Sequence, residues 1–283
     1  MARSKKVLIL HASAGHGHEK AAKAVLEAYH NLYPEVDATC VDSLAHISPG
    51  VGPFYRQVYY LQVKYAPFLW GGFYFGLDHA PVYAVVRYLR RFVNALLGSP
   101  LHRFIERENP DTIITTHFLS TEIAGFLKRR GRIRSRIFTI VTDYLPHWIW
   151  TDPSVEGYIV ATDETKKELA RRDVPESRIH VLGIPVLRKF LTKHDSHELD
   201  LKLGIREKLF TVLVTSGGAG IGDTQAIVKG ILALKKPVQV LVVCGTNKTL
   251  FMALSGMAQD NRLLKVFGFV SNMDELMEAA DLV

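Results

Sequence analysis

Three histidines fall within eight residues near the amino terminus, His11, His16 and His18, interleaved with Gly15 and Gly17. Imidazole titrates near neutral pH, so a histidine held at such a turn can take the proton from a hydroxyl as it becomes a nucleophile. A lone histidine at a helix start would read as a capping or packing residue. Three of them beside two glycines, at the end of an apolar run, point to a site. A second turn of the same kind runs Ser216-Gly217-Gly218-Ala219-Gly220-Ile221-Gly222. Backbone N–H groups freed by glycine turns can cradle an anion such as a phosphate. Between the two turns, His117 and Asp143 each follow a short apolar run. Gly-x-Gly-His is not the dinucleotide pattern Gly-x-Gly-x-x-Gly: Lys20 stands where the third glycine would be. Asp42 lies at a plausible distance for a ribose contact, but nothing else accompanies it.

These residues need elements to hold them. Val7–Leu10 is a continuous apolar run, as in a strand buried on both faces of a parallel sheet. From Glu19 the spacing of Ala21, Ala22, Val25, Ala28 and Tyr29 becomes helical. Further strands are expected at 37–42, 111–116, 137–142, 158–160 and 179–182, with helices at 119–130 and 163–173, the latter capped by Thr162 or Asp163. His117 and Asp143 then sit at strand ends, where open α/β sheets bind their ligands. Residues 189–208 are polar and irregular and read as a linker. After it the rhythm restarts, with strands at 209–215, 238–243 and 264–267 and helices at 223–235, 247–257 and 273–280. The fold class is α/β, with a first Rossmann-like unit over 1–188 and a second over 209–283.

At 283 residues and 48% hydrophobic composition the chain can bury two cores. Cys40 and Cys244 fall in expected strands and read as buried free thiols of a reducing compartment. Net charge is +7. Between His46 and Phe104 six Arg or Lys residues face the single acid Asp78, and 14 of the 28 aromatics lie in the same stretch, so charge and aromatics are concentrated together. Pro67, Gly71, Gly72, Gly76, Asp78 and Pro81 interrupt every long apolar run there, which argues against a transmembrane helix. Two readings remain: core helices with a loop, or a membrane-surface element whose Arg87, Arg90 and Arg91 meet anionic lipid. No RNA-binding signature accompanies the basic residues, so nucleic acid is not an expected partner.

Residues 12–22, Ala-Ser-Ala-Gly-His-Gly-His-Glu-Lys-Ala-Ala, resemble the N-terminal signature of the monogalactosyldiacylglycerol synthase and processive diacylglycerol glucosyltransferase family. The matching positions are Gly15, Gly17, His18, Ala21 and Ala22. A second match is Thr142-Asp143, His147, Trp150 and Tyr158-Ile159-Val160; a third is Gly183-Ile184-Pro185, although the family's following arginine stands one place later here, at Arg188. The resemblance implies a GT-B arrangement, two Rossmann-like domains facing a cleft. It implies an inverting transfer of hexose from UDP-galactose or UDP-glucose to diacylglycerol, with no bound metal and no cofactor, by a cytoplasmic protein peripheral on the membrane. His18 is the expected base, with Asp143 orienting or assisting. Ser216, Gly217, Gly218 and Gly220 would hold the donor diphosphate, and Phe269 and Val270 the donor base. Gly15, Gly17, His147 and Trp150 would border the acceptor. The alternatives are a peptidoglycan-type UDP-N-acetylglucosamine transferase and a non-catalytic membrane-surface or nucleotide-binding protein. Asp281-Leu282-Val283 looks like the start of a strand, and the family's next loop and ribose-binding acid would follow it. The second unit is therefore expected to be truncated and this form to be inactive alone.

Overall fold

A computed structural model describes residues 5–13, 16–47, 50, 52–54, 57–58, 61, 76, 80–206, 209–218, 220 and 222–283. Within the helix over 80–97, side chains are described at 83, 86–90, 93, 94 and 97. Gly15 and most of the aromatic stretch 54–75 lie outside the described residues. The chain divides into two units, Met1–Leu187 and Arg188–Val283.

The first unit carries a parallel sheet of β1 (Lys6–His11), β2 (Asp37–Asp42), β3 (Thr112–Thr115), β4 (Arg136–Ile140), β5 (Gly157–Val160) and β6 (Ile179–Val181), in the order β2-β1-β3-β4-β5-β6. Strand alternation sorts β1: Leu8 and Leu10 enter the core on one face, Val7 and Ile9 the core on the other. Fully burying each such side chain is worth about 1.5–3 kcal/mol. The strand order reverses at β1, with β2 on one side and β3 on the other. The carboxyl ends of β1 and β3 therefore bound the crevice where doubly wound sheets place their ligands. Register puts Leu10 beside Thr115 and Thr115 beside Thr139, so His11, Thr116 and the residues after Ile140 emerge along one edge.

Helices α1 (Gly17–Leu32), α2 (Ala80–Leu97), α3 (Ser99–Glu108), α4 (Phe118–Arg129) and α5 (Asp163–Ala170) complete the described part of this unit. Ala21 and Ala22 are buried, so α1 packs close to the sheet. Helix α3 was not expected from the sequence. Gly98 precedes it, Pro100 sits in its first turn and Asn109 ends it in the left-handed region at φ 42°. Its Leu101 and Ile105 are fully buried.

The second unit has a parallel sheet β7 (Phe210–Thr215), β8 (Val238–Val243), β9 (Leu264–Phe267), in that order. On the free side of β7, Leu213 N donates to Leu282 O at 2.8 Å, so the chain's last residues pair with it as a strand start should. The linker expected at 189–208 is corrected. Residues Arg188–Leu191 form a 3₁₀ turn and α6 (Ser196–Leu203) is a helix, capped by Asp195 and stopped by Gly204 at φ 63°. Leu199 and Leu203 enter the core of the second unit. Three further helices follow, α7 (Thr224–Ala233), α8 (Lys248–Gln259) and α9 (Met273–Glu278). Burial pushes the Cys40 thiol up to about 11, so it is a packing residue and no nucleophile near neutral pH.

Candidate functional site

At the switch between β1 and β3 the structure gathers His18, Thr116, His117, Thr142 and Trp150. His18 is the second residue of α1. Its Nδ1 lies 2.6 Å from the carbonyl oxygen of Thr116 and 2.9 Å from the hydroxyl of Thr142. A carbonyl only accepts, so the proton belongs on Nδ1 and the lone pair on Nε2. The Thr116 hydroxyl donates to the His18 carbonyl at 2.9 Å, which ties the first turn of α1 to the end of β3. Burial holds the His18 imidazole below its ordinary value of 6.5, while the Thr116 carbonyl and the charge of Asp143 work the other way. The neutral ring is thus the resting form near pH 7.

His117 packs edge-on against His18, ring centres 4.6 Å apart at 81°. Its own Nδ1 accepts from Leu119 N at 3.1 Å, capping α4, and complete burial keeps it neutral. The Trp150 ring lies 6.1 Å from that of His18 and is fully buried. Its Nε1 donates to Asp143 Oδ2 at 2.9 Å. Of the two roles expected of Asp143, orienting or assisting, the hydrogen bond to Trp150 takes its carboxylate away from the His18 ring, while its charge still acts on His18 through space. His147 is 2% exposed and its Nδ1 accepts from Ile149 N, capping the turn Trp148–Trp150. His147 and Trp150 are therefore enclosed and shape the site from behind, rather than offering surface to an acceptor. Gly17 is exposed, and a Cβ built on it would meet nothing within 4 Å, so open space adjoins the start of α1. Asp42 is occupied by the turn after β1: it accepts from Ser13 N, the Ser13 hydroxyl and Leu44 N, so its carboxylate holds the backbone in place of a ribose.

In the second unit the expected donor residues share the carboxyl edge of one sheet: Ser216–Gly220 after β7, Phe269 and Val270 after β9. Gly217 and Gly220 adopt φ 70° and 60°. Ser216 is bonded through its hydroxyl to that of Thr224, and Asp223 already accepts from Ala226 N at the head of α7. Within the glycine turn Gly220 N already donates to Gly217 O at 3.1 Å, so of the expected residues Gly217 and Gly218 are the ones whose N–H groups would face an anion. Phe269 is 63% exposed, whereas Val270 packs on the core. The sequence reading missed the loop after β8. There Asn247 Nδ2 donates to Gly220 O at 2.9 Å, and Thr246 N and its hydroxyl both donate to Gly218 O, lacing the two turns together. Gly245, at φ 56°, leaves so little room that a Cβ would lie 2.4 Å from Gly218 O. Gly245→Ala is expected to destabilise the second unit by about 1–3 kcal/mol, as a strained non-glycine residue with a backbone clash does. Denaturant unfolding of the variant checks this, and an unchanged midpoint would mean the turns are not coupled.

Arg87 and Arg90 meet different surroundings and do not share one basic patch. Arg90 Nε lies 2.9 Å from Glu122 Oε2, with side chains 19% and 5% exposed, and its Nη2 donates to the Tyr83 hydroxyl. Arg90 is thus the basic half of an internal ion pair, which corrects its assignment to lipid. Arg87 lines a cavity of about 400 Å³ with Tyr83, Trp148, Arg172 and Arg178, and its Nε is buried without a hydrogen-bond partner. The Arg91 side chain lies outside the described residues. Among the described residues no cluster of His, Cys, Asp and Glu could hold a metal ion. No described helix is long and apolar enough to cross a membrane.

The chain is similar to known proteins. A processive diacylglycerol beta-glucosyltransferase of Bacillus cytotoxicus is 28% identical over 278 residues, covering 98% of this chain and 70% of that one. Among solved structures, Anabaena HepE in complex with UDP-glucose superposes with a TM-score of 0.55 at 14% identity, over 98% of this chain and 72% of that one. A UDP-N-acetylglucosamine 2-epimerase from Rickettsia bellii does so with a TM-score of 0.53 at 13% identity, over 98% and 72% of the two chains. These likenesses show the GT-B fold, and a transferase and an epimerase both use such an architecture, so fold alone does not name the reaction. The family model for monogalactosyldiacylglycerol (MGDG) synthase matches residues 18–186, from the candidate base to the end of the first unit. With more than half its length matched, the chain belongs to the monogalactosyldiacylglycerol synthase family of glycosyltransferases.

Proposed function

We propose that this protein is an inverting hexosyltransferase that moves a sugar from a UDP-sugar to diacylglycerol at a membrane surface. The observation that carries it is His18, whose Nδ1 is committed to the Thr116 carbonyl while Nε2 keeps its lone pair. That is the form a general base must have. In the reaction Nε2 takes the proton of the acceptor hydroxyl as its oxygen bonds the anomeric carbon. The bond from that carbon to the diphosphate oxygen breaks, and its electron pair leaves with UDP. One displacement inverts the centre. Backbone N–H groups of Gly217 and Gly218 would stabilise the departing diphosphate, the kind of fixed-dipole stabilisation that needs no metal.

The acceptor is inferred from the relatives' name and from the family match. The UDP-sugar donor is inferred from the glycine turn and from the UDP-glucose complex of HepE. Peripheral attachment is inferred from α2, whose Tyr88, Leu89 and Val93 are exposed, and from Arg87 beside its cavity. Incubating a form of the protein extended to the full length of its relatives with labelled UDP-glucose or UDP-galactose and vesicles containing diacylglycerol should yield a labelled glycolipid of inverted anomeric configuration. Free sugar without glycolipid, or product of retained configuration, would overturn the reading.

A further inference from the structure

In the first unit the base is held by groups other than a carboxylate. Thr142 follows β4 and Thr116 follows β3, and both present oxygen to the same nitrogen of His18, at 2.9 and 2.6 Å. The neighbouring carboxylate, Asp143, is bonded to Trp150. We infer that Thr142 is the positioning residue for His18: with the Thr116 carbonyl it fixes the proton on Nδ1 and aims Nε2 at the substrate hydroxyl. This rests on the proposed reaction for its catalytic meaning, but the positioning is a property of the ring and can be read without turnover.

The physical argument is one of donor and acceptor count. Neutral imidazole has one N–H, and either nitrogen can carry it. The Thr116 carbonyl can only accept. With the ring in this tautomer, the Thr142 oxygen is a second acceptor on the same N–H, and the two fix both tautomer and ring rotation. When Nε2 gains a proton, the positive charge is shared with Nδ1–H, which already has two oxygens beside it. Thr142 therefore favours the protonated ring as well as the orientation. The titratable groups around His18 are His117 at the head of α4, Asp143 after β4 and His11 at the end of β1. Both of those histidines are held below their ordinary value by burial, so Asp143 is the charge that remains.

The test compares Thr142→Val, Thr142→Ser and Asp143→Asn in the 283-residue chain. Nitrogen-15 and carbon-13 NMR of the His18 ring reads tautomer and titration directly. In the unaltered chain the proton should reside on Nδ1. Thr142→Val should move the His18 titration to lower pH while the Thr116 carbonyl keeps the proton on Nδ1, and Thr142→Ser should restore the titration. Asp143→Asn should also lower the titration, by removing a nearby negative charge, but keep the proton on Nδ1. In the transfer assay, run on the form extended to the relatives' full length, Thr142→Val should reduce kcat about tenfold, the value of one neutral hydrogen bond, with the KM for UDP-sugar unchanged. A proton on Nε2 in the unaltered chain would overturn the inference. So would a His18 titration left unchanged in Thr142→Val, or loss of the Nδ1 proton in Asp143→Asn, which would restore a carboxylate dyad. If the form extended to the relatives' full length transfers no sugar while the NMR pattern holds, the proposed function fails and the positioning of His18 by Thr142 stands.

Discussion

Replacing His18 with alanine is expected to lower the rate of sugar transfer by about 10²–10⁴-fold, the usual contribution of a positioned general base. The loss should fall on kcat, because the groups proposed for the donor diphosphate lie in the second unit and are untouched. The fold should survive. The bond from the Thr116 hydroxyl goes to the main-chain carbonyl of residue 18, which alanine keeps. The pH profile gives an independent check. The base works when neutral, and burial holds His18 below 6.5, so the neutral form persists as pH falls through the range where a free histidine would protonate. The acid limb of kcat/KM is therefore expected below pH 6.5 and should vanish in the variant. Turnover within a few-fold of the parent, or an acid limb unchanged in His18→Ala, would place the base elsewhere.

How far this site was legible in the sequence follows from the distances along the chain. The strand–turn–helix that presents His18 is local: a continuous apolar run, small residues and a switch to helical spacing all lie within 25 residues or so, and such patterns carry their own physics. The groups that set its protonation are not local. Thr116 and Thr142 lie 98 and 124 residues away and reach Nδ1 only because β3 and β4 pair in register beyond β1. No spacing rule connects them. Asp143 was legible as a residue at a strand end that could orient or assist, but not its partner: the indole of Trp150, seven residues on, takes that carboxylate. In the second unit the glycine turn was readable but its bracing by Gly245, Thr246 and Asn247 was not, since a loop after a different strand supplies it. Helix α6 was missed for another reason. SHELDLKL turns only Leu199 and Leu203 inward, so polarity hid a short amphipathic helix, although Asp195 with Glu198 three residues later and Gly204 at its end were start and stop signals.

Arg90→Ala is expected to destabilise the first unit by about 3–5 kcal/mol, the cost of leaving one member of a buried ion pair without its partner. The sequence placed Arg87, Arg90 and Arg91 together because they are adjacent in the chain. Arg87 and Arg90 share a face of the helix but differ in what they meet, a cavity for Arg87 and Glu122 for Arg90. Positions 83, 87, 90 and 94 follow one face of α2, where Tyr83 is buried and Arg90 and Asn94 both reach Glu122 of α4. Tyr88, Leu89 and Val93 lie on the outer face and are 64%, 67% and 39% exposed. Interfacial helices bind lipid by burying apolar area and add charge attraction to it. The outer face supplies the first, and Arg87 is the described arginine of the three that is free of a carboxylate partner. Two classes of variant should then part company. Arg90→Ala should lower the unfolding midpoint sharply. Replacing Tyr88, Leu89 and Val93 together with serine should leave that midpoint nearly unchanged and abolish most pelleting with vesicles. Arg87→Ala should weaken pelleting with anionic vesicles only, and in low salt more than in high, since exposed charges are screened over about 10 Å at 0.1 M. If Arg90→Ala instead kept full stability and lost only anionic-vesicle binding, Glu122 would not be its working partner, and the three arginines would act as the single headgroup patch that their sequence suggested.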